Sequence, residues 1–125
     1  MGYGRVMAWE IKYSHEAEAW VDGLADDEWN AMMAAVDLLE EHGPSLRRPT
    51  VGNIVSSRHK NMKELISFGG NLRALFAFDP LREAIILLGG DKTDDWDAWY
   101  TQNVPLADEL YDDYLTYLRS EGRIP

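Results

Sequence analysis

Three apolar segments separated by two tight punctuation marks constrain this chain more than any other feature. Residues 65–68 and 72–79 flank Gly69-Gly70-Asn71, and residues 84–88 follow Asp79-Pro80-Leu81-Arg82. The glycine pair suits a hairpin loop, where a backbone with positive φ must be tolerated. In the second segment Leu72, Ala74, Phe76 and Phe78 alternate with Arg73, Leu75 and Ala77, the two-residue period of a strand. Residues 84–88 are apolar throughout, which predicts a strand buried on both faces and ended by Gly89-Gly90. A chain with this centre folds around an antiparallel sheet.

The flanks carry a different period. Trp9, Ile11 and Tyr13 alternate with Glu10 and Lys12 as a first, half-buried strand. Ser14 then caps a helix whose stripe is Ala17, Trp20, Val21 and Leu24. Asp26 or Asp27 caps a second helix, with Trp29, Met32, Met33, Val36 and Leu39 inward and Gly43-Pro44 as the stop. Trp9, Trp20 and Trp29 read as core. Val51, Ile54 and Val55 suggest a short strand in the irregular stretch 45–62. Asn103 caps a last helix with Pro105 in its first turn and Ala107, Leu110, Tyr111, Tyr114 and Leu118 along one side. The predicted class is α+β, a helical hairpin on a twisted antiparallel sheet plus a C-terminal helix, with the helices on one face.

At 125 residues the chain suits one domain, residues 1–125. It has no cysteine, which removes disulfides, thiolate metal sites and a cysteine nucleophile. The longest aliphatic run is five residues, far below the roughly 18 of a membrane span. The first ten residues lack a signal-peptide pattern, so the expected location is cytoplasmic. Asp91, Asp94, Asp95 and Asp97 lack the glycine and closing glutamate of a calcium loop, and no metal or other cofactor is expected. His15 and His42 read as helix-end surface residues.

The net charge of −10 argues against general nucleic-acid binding, yet it is unevenly distributed. Residues 44–73 hold six bases (Arg47, Arg48, Arg58, Lys60, Lys63, Arg73) and one acid, Glu64, between two acidic stretches. Screening over about 8 Å at physiological salt lets such a strip act locally. If Arg73 points away from the helices, an open sheet face offers cations to a phosphate backbone. Cleaving RNA needs a 2′-hydroxyl to lose its proton and attack phosphorus, cations to stabilise the phosphorane, and a proton for the leaving 5′-oxygen.

The run Lys63-Glu64-Leu65, then Gly-Gly-Asn-Leu-Arg73-Ala-Leu-Phe76-Ala-Phe78, then Ile85-Ile-Leu-Leu-Gly-Gly-Asp-Lys92-Thr93, resembles the core of RelE/HigB-type toxins of bacterial toxin–antitoxin modules. Trp99-Tyr100 and Pro105-Leu-Ala-Asp-Glu-Leu-Tyr111 are similar to the phage-derived HigB-like branch. The resemblance covers residues 8–118 and rests on order and spacing. It implies a ribosome-dependent mRNA endoribonuclease (an mRNA interferase) that needs no metal. The implied partners are a helix-turn-helix, HigA-like antitoxin and mRNA on the ribosome, with DNA reached only through the antitoxin and no membrane.

It further implies Arg73 as a phosphate-stabilising residue and Lys92 as a charge stabiliser or leaving-group donor. Tyr100 stacks on a base or assists proton transfer, and Trp99 is the lesser choice for that position. His59, without a family counterpart, has the side chain suited to proton transfer near neutral pH. Arg58, Lys60, Lys63 and Trp99 are the expected RNA-binding set. Ile66 stands where the family often has a base, and Glu64 where some relatives have lysine. These departures leave a second reading open: a weak or inactive module of the same fold that acts with the antitoxin in transcriptional autoregulation.

Overall fold

The computed structural model describes residues 8–91 and 96–125. A first strand, β1 (Glu10–Tyr13), leads into a helical hairpin of α1 (His15–Asp22) and α2 (Asp26–His42). A 3-10 turn, Gly43–Ser45, precedes four strands: β2 (Val51–Asn53), β3 (Met62–Ile66), β4 (Leu72–Phe78) and β5 (Glu83–Asp91). A long helix, α3 (Trp96–Ser120), closes the chain. The sheet order is β1-β5-β4-β3-β2.

Local chemistry accounts for the hairpin. The Ser14 hydroxyl accepts from the Ala17 amide at 3.0 Å and donates to the Leu87 carbonyl at 2.6 Å, so one cap both starts α1 and ties it to β5. The second cap falls on Ala25 rather than Asp26 or Asp27, because the Glu28 carboxylate reaches back to the Ala25 amide at 3.2 Å. Gly43, at φ +56°, turns the chain out of α2 where the Trp9 indole leaves no room for a β-carbon. Ala17, Met32, Ala35, Val36 and Leu39 are buried against the sheet, but Trp29 is 44% exposed and is not core.

The expected antiparallel sheet holds for β2 to β5, while β1 joins β5 in parallel. A four-residue edge strand has the same alternation either way, so local sequence is blind to that difference. The helices are not confined to one face. Leu72, Ala74 and Phe76 pack under α1 and α2, whereas Leu75, Ala77, Ile85 and Leu87 pack under α3. Both sides of the central strands are apolar, and each needs a cover. The face that carries Arg73 is therefore roofed by α3, not open.

Two further expectations change for one reason. Gly89 and Gly90 do not end β5; they lie within it. A β-carbon on Gly89 would sit 2.2 Å from the Trp20 ring, and one on Gly90 would sit 2.5 Å from Trp99 Nε1. Successive strand residues face opposite sides, so the pair seats one indole on each face. Asn103 caps nothing, and Pro105 lies inside α3, which runs unbroken from Trp96. An internal proline costs a helix about 3 kcal/mol or more, here offset by Trp99 and Tyr100 packing the preceding turns onto the sheet. Replacing Gly89 with valine overfills the Trp20 seat. A loss of about 1–3 kcal/mol is expected, read as a lower urea midpoint, while Ser120→Ala on the exposed end of α3 leaves the midpoint unchanged.

Candidate active site

Glu64 is the centre of the described site. It lies on β3 opposite Gly52 of β2 and Leu75 of β4, on the face roofed by α3, with its side chain 6% exposed. A carboxylate withdrawn from water needs compensating partners. Arg73 Nε lies 3.5 Å from Glu64 Oε1, and Arg48 Nη2 lies 3.6 Å from Oε2. The Tyr100 hydroxyl donates to Oε1 from the first turns of α3. Gly52 makes the Arg48 contact possible, since a β-carbon there would come within 2.8 Å of Arg48 Nη2 and 3.0 Å of Glu64 Oε2.

Arg73 is nearly as buried as its partner, at 9% side-chain exposure. Its Nη1 donates to the carbonyls of Gly70 at 3.2 Å and Leu72 at 3.0 Å. Gly90 and Ile66 flank it in register on β5 and β3. Trp99, seated over Gly90, meets the Tyr100 ring edge-on with centroids 5.2 Å apart. Burial first, then the hydrogen bond to Glu64 and its charge, push the Tyr100 phenol far above its ordinary range, with Arg73 pulling the other way. Tyr100 thus keeps its proton at physiological pH and acts as a donor.

This cluster opens into a cavity of about 480 Å³ whose walls include Arg48, Asn53, Val55, Glu64, Arg73 and Tyr100. Val55, expected in a strand, is 96% exposed beside it. The assembly offers one carboxylate acceptor, two guanidinium groups and one protonated phenol around a space large enough for a nucleotide. Among the described residues no group of three or more histidine and carboxylate side chains could hold a metal ion.

The structure gathers only part of the expected set. Arg73 and Tyr100 meet at this cavity, and Trp99 stands behind Tyr100, ring against ring, over Gly90. His59 does not: its Nε2 lies 2.8 Å from Asp112 Oδ1, and its ring packs edge-on against Tyr111. Asp112 lies twelve residues beyond Tyr100 on α3, about 18 Å along the helix at 1.5 Å per residue. Arg58 pairs with the same carboxylate, and the Arg58 hydrogen bond followed by that of His59 holds Asp112 below the ordinary aspartate range. Lys63 points to the α1–α2 side of the sheet, where its Nζ donates to Asn53 Oδ1 at 2.7 Å. Lys60 is exposed in the loop before β3, and Lys92 lies outside the described residues. The basic strip therefore does not assemble on one uncovered face; strand alternation and the β2–β3 loop distribute it.

Sequence reasoning passed over the two residues that complete the cluster, Glu64 and Arg48. Glu64 was legible as the one acid among six bases. Arg48 left no such signal, because its role depends on how β2 pairs with β3.

Among known proteins, the family model described as phage derived protein Gp49-like (DUF891) matches residues 19–112. HigB3 of Mycobacterium tuberculosis, a candidate toxin by its name, is 46% identical over 100 residues, which is 80% of this chain and 88% of that protein. HigB2 of the same organism, likewise a candidate toxin by name, is 45% identical over 100 residues, 78% of this chain and half of its own length. The crystal structure of an archaeal RelE–RelB complex from Pyrococcus horikoshii OT3 shares the fold, with TM-score 0.55 and 14% identity over 71% of this chain and all of that one.

The raised phenols carry a stability consequence. Tyr100 and Tyr114 are shifted upward chiefly by burial and then by their carboxylate partners, and Tyr13 and Tyr111 follow the same direction. Unfolded tyrosines ionise near pH 10 while the folded ones hold their protons. Stability is therefore full below about pH 10 and falls above it. Urea midpoints measured across that range are expected to drop, and Tyr114→Phe to shallow the drop.

Proposed function

The chain belongs to the Gp49-like family of HigB/RelE-type toxins, and on that premise we propose that it cleaves translated mRNA at the Glu64–Arg73–Tyr100 cavity. As the toxin of a toxin–antitoxin pair it has an antitoxin partner; a small helix-turn-helix protein of the HigA kind is our reading of that partner. The single observation that carries the catalytic reading is a buried carboxylate shared by two arginines and a phenol at a nucleotide-sized cavity.

In the proposed reaction Glu64 accepts the proton of the 2′-hydroxyl, and the freed oxygen attacks the adjacent phosphorus. Arg73 and Arg48 stabilise the extra negative charge of the phosphorane. Tyr100 donates its proton to the departing 5′-oxygen and regains one from Glu64 across the hydrogen bond they already share. The products are a 2′,3′-cyclic phosphate and a 5′-hydroxyl, and the proton count closes without a metal ion. Lys92, directly after Asp91 in the chain, keeps the charge-stabilising role that its position in the family pattern implies. Trp99 supplies an aromatic edge beside Tyr100 for a base. Arg58 and His59 act at a distance, fastening the β2–β3 loop to α3. The chain's net charge of −10 makes free RNA a poor ligand, which favours RNA presented by the ribosome.

The same geometry gives the second reading one support. Arg73 is deep, already bonded to two carbonyls, and faces Ile66 rather than another base. A weakened enzyme serving mainly in an antitoxin-bound repressor fits that arrangement. Cleavage of a reporter mRNA in a purified translation system, with RNA ends mapped, tests the catalytic reading. Glu64→Gln is expected to lower the rate about 10²–10⁴-fold, the range for a general base, and Arg73→Ala about 10²–10³-fold, as for an oxyanion donor. Wild-type protein that produces no new RNA ends defeats this reading. Ile66→Arg separates the two accounts: a gain in cleavage marks an attenuated nuclease, and unchanged, absent cleavage marks the binding module.

A further inference from the structure

Around the edge strand β2 lies a second concavity, on the side of the sheet opposite the Glu64 cavity. It encloses about 290 Å³, and its walls include Arg47, Arg48, Lys63, Leu46 and Phe78. Val51 and Lys63 face it, while Gly52 and Glu64, their neighbours in sequence, face the catalytic side, as strand alternation requires. Two residues belong to both spaces: Arg48 and Asn53 line each cavity. The barrier between them is three residues wide, β2 itself, and its middle residue is a glycine.

We propose that this second groove is a subsite for the backbone of single-stranded RNA, continuing the strand that enters the Glu64 cavity; the assignment rests on the cleavage reading above. Charge favours this occupant. Arg47, Arg48 and Lys63 are three of the twelve bases in a chain of net charge −10, and among the described residues no acidic side chain lines the groove. Shape favours it as well. β2 is only three residues long and lies at the edge of the sheet, so a flexible strand can pass around it, past Arg48, from one side of the sheet to the other, which a duplex cannot do. Arg48 sits at the bend with 69% of its side chain exposed, able to meet a phosphate while its Nη2 stays near Glu64. Leu46 and Phe78 supply an apolar wall for one sugar or base beside the cations. Lys63, which strand alternation removes from the reaction centre, thereby regains a role in holding RNA.

The test uses the whole protein and fluorescein-labelled oligonucleotides of four, eight and twelve nucleotides, with a 2′-deoxy sugar at the scissile position to block cleavage. Wild-type affinity is expected to rise from the tetramer to the longer strands. In the double variant Arg47→Gln, Lys63→Gln that rise disappears while tetramer binding persists. Each lost phosphate contact flattens the plot of log affinity against log salt by about 0.7, so between about 50 and 200 mM salt the wild type loses about sevenfold more affinity for the twelve-mer than the double variant does. A rise with length that survives in the variant overturns the subsite and leaves the cleavage reading intact, provided Arg73→Ala still abolishes tetramer binding. Loss of tetramer binding in the double variant also overturns it, since the groove would then not be separate from the reaction centre. Failure of the wild type to bind any of the three strands overturns the subsite, while the cleavage reading is decided by the RNA ends formed in the translation system.

Discussion

One carboxylate removed from water organises the β2-to-α3 half of the molecule. Glu64 on β3 is 6% exposed, and an ion in that position is tolerable only when several partners converge on it. They come from three other elements: Arg73 from β4, Tyr100 from α3 and Arg48 from the segment before β2. Each partner then imposes a demand of its own. Arg48 can reach the carboxylate only past a residue without a side chain, which is Gly52. Tyr100 reaches it only if α3 begins early enough to cover that end of the sheet. A polar cluster in a small core is a costly way to gain stability, and hydrophobic residues in its place would do as well or better. Such a cluster suits the reaction we propose, in which an acceptor, a donor and fixed positive charge must be held in place before substrate arrives.

Much of the fold was legible because alternation and helical stripes are local. The hairpin around Gly69, the Ser14 cap, the turn at Gly43 and the two faces of β4 all follow from residues within a few positions of one another. What was hidden depends on partners far along the chain. Parallel pairing of β1 with β5 leaves no trace in four residues. The roof over Arg73 was visible only as an excess of apolar residues on both sides of β4 and β5, a hint that the sheet needed two covers. Trp29 shows the opposite failure: it lies on the stripe by spacing, yet it is 44% exposed, at the margin of the face that Met32, Ala35, Val36 and Leu39 bury.

The site was legible in outline and misread in its wiring. Arg73 and Tyr100 sit together as the family pattern implies, but counting bases along the chain does not locate them in space. Alternation sends Lys63 to one side of the sheet and Glu64 to the other, and the loop before β3 carries Arg58 and His59 toward the middle of α3, where Asp112 receives them. Glu64 is instructive because it looked like a departure. An acid inside a basic run invites subtraction from the total, whereas in the reaction we propose it is the proton acceptor that a cluster of cations lacks.

Gly89 and Gly90 bear on that chemistry without touching it. With no β-carbon on either residue, an indole from α1 and an indole from α3 rest directly on the backbone of β5, one from above and one from below. On one side the spacing sets how closely α1 lies over the sheet; on the other it sets how far Trp99, and with it the neighbouring phenol, sinks toward the carboxylate. The depth of that phenol is thus governed by the slenderness of a strand rather than by any acid or base.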